Sequence, residues 1–158
     1  KKVAYIHGAD STVTKNRLSS FYKTAEELGL TVPDEYIREA AYRSTRAAGE
    51  ATAALLELQN PPTCILYPDD FSCFGGMNVI REKGLRIPED ISVAGYDGLR
   101  IGRHIEPKLT TLWQNTEVIG AEAAGKLIDL IERPKTTILE PIVIGGEVYE
   151  GKTVGKIR

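Results

Sequence analysis

The segment from Pro61 to Thr111, PPTCILYPDDFSCFGGMNVIREKGLRIPEDISVAGYDGLRIGRHIEPKLTT, restricts the fold more than any other part of the chain. A short apolar run, Cys64 to Tyr67, suits a buried strand. Pro68, Asp69 and Asp70 stop that run, and Asp70 is expected to cap a helix reaching to about Lys83. Gly84 stands where a helix C-cap glycine belongs, and Pro88 discourages the helix from resuming. A second apolar run, Ile91 to Tyr96, ends at another acidic turn, Asp97-Gly98. Strand, acidic turn, helix, strand, acidic turn is the repeat of a parallel α/β sheet. The strand C-termini of such a sheet open onto its ligand crevice, so Asp69, Asp70 and Asp97 are all expected there.

The flanks continue the same alternation. Val3 to His7 reads as a strand, and Thr14 to Leu28 as a helix with Leu18, Phe21, Ala25 and Leu28 on one face. Gly29 and Pro33 end it. Ile37 to Tyr42 suits a short second strand and Ala47 to Leu58 a second helix. Leu109 to Trp113 is expected as a fifth strand, followed by a helix from Thr116 to Ile131. The last residues read as strands broken by Gly145-Gly146 and turned at Glu150-Gly151. The expected fold is a doubly wound α/β domain, with Val3, Ile37, Cys64, Ile91 and Leu109 each starting a mostly parallel strand.

Composition removes several classes of function. With 42% hydrophobic and 27% charged residues over 158, the chain can bury one core. A formal charge of −2 gives no basic footprint for nucleic acid. No apolar run reaches membrane-spanning length, and no signal-peptide hydrophobic region opens the sequence. Cys64 and Cys73 are too few for a disulfide framework, which points to a reducing cytoplasm. His7 and His104 have no metal-ligand companions at short spacing, so no metal is expected. Neither GxGxxG nor GxxxxGK[ST] follows the first strand, so no nucleotide cofactor is expected either. The start at Lys1, directly on a strand, is expected of a piece of a longer protein.

The stretch "GLRIPEDISVAGYD", the acidic turn and helix before it, and the "PKLTT" after it resemble the effector-binding core of the lac repressor/galactose repressor family of bacterial transcription regulators. The resemblance covers about fifty consecutive residues closely and extends more weakly to both ends. It implies a periplasmic-binding-protein-like lobe and a small-molecule effector of sugar type. It also implies a homodimer, and DNA binding only through an N-terminal domain that this chain does not contain. Residues 1–112 would form the C-terminal lobe of the effector-binding domain. Residues 113–158 would be a crossover segment with the helix and strands that complete the other lobe. No membrane partner is implied.

The same resemblance assigns candidate site residues. Arg17, in the first helix, is a planar donor that can hold vicinal hydroxyls or a carboxylate bidentately, although a solvated helix arginine is the ordinary alternative. Tyr42 would stack on the ligand's apolar face, or else be a half-buried strand tyrosine. Asp69 replaces the family's more frequent asparagine, and an ionised carboxylate can only accept, which favours ligand hydroxyls. Asp97 matches the family's ligand-binding aspartate at a strand C-terminus, where a plain turn residue is the alternative. Gln114 would be the hinge residue, with Trp113 at the cleft edge or in the core. Phe74 and Ile105 would lie at the dimer contact, against an ordinary core role for Phe74. Two carboxylates and an arginine form a hydroxyl clamp more readily than a catalytic machine. A periplasmic sugar-binding protein of a transporter and a flavodoxin-like enzyme remain the alternatives, since fold alone does not assign function.

Overall fold

The computed structural model describes residues 2–156. The elements run in chain order as β1 (Val3–His7), α1 (Thr12–Glu27), β2 (Ile37–Glu39), α2 (Thr45–Leu56) and β3 (Cys64–Leu66). They continue as α3 (Asp70–Glu82), β4 (Ser92–Asp97), β5 (Thr111–Trp113), α4 (Thr116–Glu132) and β6 (Glu147–Tyr149). The six strands form one sheet in the order β2-β1-β3-β4-β5-β6. All neighbours are parallel except β5 and β6, which run antiparallel with Trp113 opposite Glu147.

The order reverses direction at β1. The chain moves outward from β1 to β2, then returns past β1 to β3 and onward to β4. Right-handed crossovers then place α1 on one face and α2 with α3 on the other. The crevice between the C-termini of β1 and β3 is the topological switch point. The core fills the α2/α3 face: Ile65 and Val93 from the sheet meet Leu55, Met77 and Ile80 from the helices, all fully buried or nearly so. On the opposite face the Phe21 ring of α1 lies 5.2 Å from that of Tyr5.

Expected and observed elements differ in three instructive places. The second strand stops at Glu39 instead of Tyr42. Arg43 turns the chain there with φ 57°, and Tyr42 folds back so that its hydroxyl bonds Thr14 Oγ1 at 2.9 Å. Tyr42 is therefore a loop residue, and its ring occupies the space that a side chain at Gly8 would need. The cap of α3 is Asp69, not Asp70: Asp69 has extended backbone and accepts the Ser72 N–H. The last segment contributes a single strand, β6.

Beyond β5 the packing changes. Helix α4 has the caps of a proper helix, with Asn115 accepting the Val118 N–H, yet it buries none of its residues. Ile131 is 70% exposed and Val143, in the segment that follows, 94%. The chain then returns to the sheet edge, where Thr153 is fully buried and its hydroxyl donates to the Val93 carbonyl at 2.8 Å. Among the described residues, no helix is long and apolar enough to cross a membrane.

Candidate functional site

The C-terminal edge of the sheet carries a cavity of about 460 Å³ lined by Arg43, Asp97, Arg103, Trp113 and Gln114, among others. Among the described residues, Arg43 and Asp97 are the two non-glycine residues with positive φ, at 57° and 114°. Such conformations cost about 1–3 kcal/mol each and persist where the surroundings impose them, most often at binding and switch sites. Here both strained residues face one cavity and carry opposite charges.

Asp97 ends β4. Burial pushes its carboxyl above the usual range, opposed by a hydrogen bond from Gln114 Nε2 at 2.8 Å and by the charges of Arg17 and Arg43. Gly98 permits this turn, with φ 74° and with the Trp113 Cα only 2.6 Å from where a Cβ would stand. Gln114, expected as a hinge residue directly after β5, is thus brought onto Asp97, beside Trp113.

Two buried carboxylates build the platform under this pair. Asp69, 2% exposed, accepts bonds from Ser72 N, Ser72 Oγ and Arg43 N. In this structure its oxygens therefore act on the α3 cap and on the Arg43 backbone, and do not open onto the cavity. Asp70 is fully buried. It accepts the Leu99 N–H at 2.6 Å and the Thr111 hydroxyl at 2.6 Å, and Thr111 Oγ1 accepts the Gly98 N–H at 3.2 Å. It thereby fixes the loop that follows Asp97. Burial raises the Asp70 carboxyl too, against the opposing pull of these donors. Gly95 makes room for it, because a Cβ there would collide with Asp70 Oδ1.

Arg17 bridges the switch point. Its Nη1 donates to the Pro68 carbonyl at 3.0 Å and its guanidinium lies 3.6 Å above the centre of the Tyr96 ring. It borders a second, largely apolar cavity of about 440 Å³ between α1 and the sheet, lined by Tyr5, Phe21, Leu66 and Tyr96. Arg17, Asp97 and Gln114 are thus drawn to one edge, with Tyr42 on the neighbouring β2–α2 loop. Phe74 and Ile105 lie elsewhere. Both are partly buried against the core, and the Phe74 ring stands edge-on to Phe71, itself 41% exposed. Burial pushes the Cys64 thiol up to about 11, which leaves little thiolate to act as a nucleophile near neutral pH. Among the described residues no group of three or more potential metal-ligating side chains occurs.

Arg43, Arg100 and Arg103 escaped the sequence reading. The available signal was positional: a cation in a βα loop at the C-terminal edge of a parallel sheet faces the crevice whatever its neighbours.

A doubly wound, mostly parallel sheet with a cavity at the C-terminal ends of its strands is the architecture of an α/β ligand-binding domain. Residues 1–154 match the family described as periplasmic binding protein-like domain, and the chain belongs to that family. It is 33% identical over 135 residues to the probable HTH-type transcriptional repressor ExuR of Bacillus subtilis, covering 85% of this chain and 40% of that protein. It is 32% identical over 158 residues to the HTH-type transcriptional repressor PurR of Mannheimia succiniciproducens, covering 99% of this chain and 47% of that one. The chain thus spans less than half the length of these curated relatives, which are repressors and not enzymes. Among solved structures, a LacI-type transcriptional regulator from Bacillus cereus subsp. cytotoxis superposes with a TM-score of 0.92 at 28% identity, over 100% of this chain and 56% of that one. The transcriptional regulator CelR in complex with cellobiose superposes with a TM-score of 0.87 at 25% identity, over 96% of this chain and 46% of that one.

Proposed function

We propose that this chain is the effector-sensing portion of a bacterial transcription regulator, with a sugar-type small molecule as effector and DNA contacted only by a separate N-terminal domain. The observation that carries the reading is the pairing of strained Arg43 and Asp97 over one cavity, in a family whose relatives include named repressors. Asp97 accepts ligand hydroxyls, Gln114 orients it, and Arg17 supplies charge-assisted donors from across the switch point. Tyr42 stands beside them, and Asp69 contributes by holding Arg43.

In this reading residues 1–112 are one lobe of the cleft, and residues 113–158 lead to the other lobe and back. The exposed apolar side chains of α4 support that division, since an amphipathic helix with no buried face needs a partner. The protein works in the cytoplasm as a homodimer, with Phe74 and Ile105 at the contact. Calorimetric titration of sugars into the intact regulator, with an operator-release assay alongside, tests the proposal. Asp97→Ala and Arg17→Ala should each weaken effector binding by about 2–4 kcal/mol, because the ligand's partner group is left desolvated. Full effector affinity in Asp97→Ala would remove the site assignment.

A further inference from the structure

We propose that the effector is a sugar acid, a polyol carrying one carboxylate, with Arg43 as the carboxylate anchor and Asp97 as the hydroxyl acceptor. The inference rests on the effector-binding reading given above and adds the ligand's charge class.

The cavity is lined by three arginines and two carboxylates, Arg43, Arg100 and Arg103 against Asp97 and Glu117. Arg100 lies 3.5 Å from Glu117. The Arg103 guanidinium sits 4.7 Å over the Tyr149 ring. Asp97 is engaged by Gln114, which leaves one of its oxygens to accept from a ligand. Among the described residues the Arg43 side chain makes no hydrogen bond or ion pair, although its backbone N–H is held by buried Asp69 at 2.9 Å in a left-handed conformation. A free surface arginine needs no such fixing. An arginine whose backbone is pinned while its fork stays unengaged is preorganised for an incoming acceptor.

Charge and geometry choose between acceptors. The unengaged Arg43 fork matches the two oxygens and single charge of a carboxylate, whereas a phosphate monoester carries about −1.5 to −2 at pH 7. A guanidinium and a carboxylate meet in a bidentate, planar arrangement that a neutral hydroxyl cannot reproduce. Arg43 and Asp97 line the same cavity, so one small ligand can reach both.

Matched probes test this on the intact regulator: glucose, glucuronate and glucose 6-phosphate, with the galactose counterparts, titrated calorimetrically into wild type and Arg43→Gln at pH 7. We expect at least one uronate to bind ten times or more tighter than its neutral and phosphorylated counterparts. We also expect Arg43→Gln to abolish that preference. A neutral hexose or a hexose phosphate binding as well as the uronate overturns the sugar-acid inference and leaves the effector reading standing. A preference for the uronate that survives in a folded Arg43→Gln overturns the assignment to Arg43. Silence of the whole panel overturns both the inference and the sugar reading beneath it. Should the variant not fold, the wild-type comparison decides the charge class alone.

Discussion

Replacing Asp70 tests the platform beneath the site most directly. Its carboxylate is fully buried and satisfies two donors, the Leu99 N–H and the Thr111 hydroxyl, both at 2.6 Å. Asp70→Ala leaves both donors without their acceptor and opens a small void. At about 1–3 kcal/mol for each buried group left unsatisfied, the expected loss is about 3–5 kcal/mol. Asp70→Asn should cost less, about 1–2 kcal/mol. Its amide oxygen can still accept from Leu99, but its NH2 cannot accept from Thr111. The two variants also differ from wild type in pH dependence. Burial raises the Asp70 carboxyl, so the folded state binds its proton before the unfolded state does. This group therefore lowers stability as pH rises from the ordinary carboxylate value through the raised one, and acidification across that window relieves it. Neither variant should show that contribution. Urea unfolding monitored by circular dichroism between pH 4 and 7 gives both quantities. A fall of under about 0.5 kcal/mol in Asp70→Ala would refute the claim that this carboxylate ties α3 to the β4–β5 loop.

Asp97→Asn should weaken effector binding in calorimetry by no more than Asp97→Ala does, yet leave stability at pH 7 equal or higher, since burial disfavours the charge that it removes. Gly95→Ala should cost about 1–3 kcal/mol by overpacking against Asp70 and Leu109, and less than additively with Asp70→Ala, which a double-mutant cycle in urea measures. Asp90 behaves with the opposite sign: hydrogen bonds from Arg86 hold its carboxyl at about 2, so its contribution is present above the ordinary carboxylate value and lost as pH falls toward 2. Carboxyl NMR titration checks that value, and Arg86→Gln should bring it back toward the ordinary range. Phe74→Asp should shift the regulator toward monomer in analytical ultracentrifugation without unfolding it. An unchanged sedimentation profile would place the dimer contact elsewhere.

The alternation of apolar runs with acidic turns was enough to locate the strands along the chain, because a buried parallel sheet leaves little else for such runs to do. Val3, Ile37 and Cys64 begin strands as expected, and those expected at Ile91 and Leu109 begin one and two residues later. Position-level detail was harder. In Asp69-Asp70 both residues are good caps, and the choice is made by Leu99 and Thr111, distant in sequence, which draw Asp70 inward. Arg43 was invisible for a different reason. Its importance lies in a backbone angle imposed by Asp69, and arginine is not a residue type that advertises a left-handed turn. Asp97 was legible because strand end, acid and glycine coincide in the sequence.

The antiparallel pairing of β5 with β6 makes everything between them a detachable appendage. Trp113 and Glu147 are direct neighbours, so residues 114–146 leave and rejoin the sheet at a single point. A short hairpin turn could replace the whole excursion without moving any strand of the remaining sheet. Shortening that connection by roughly three halvings would return about 2 kcal/mol of loop-closure entropy. It would also delete the exposed apolar side chains of α4, and with them a source of aggregation in the isolated chain. The seam between Gln114 and Glu147 is therefore where an engineer would cut to obtain a minimal scaffold that keeps Arg17, Arg43 and Asp97, with its partner Gln114, on one rigid edge.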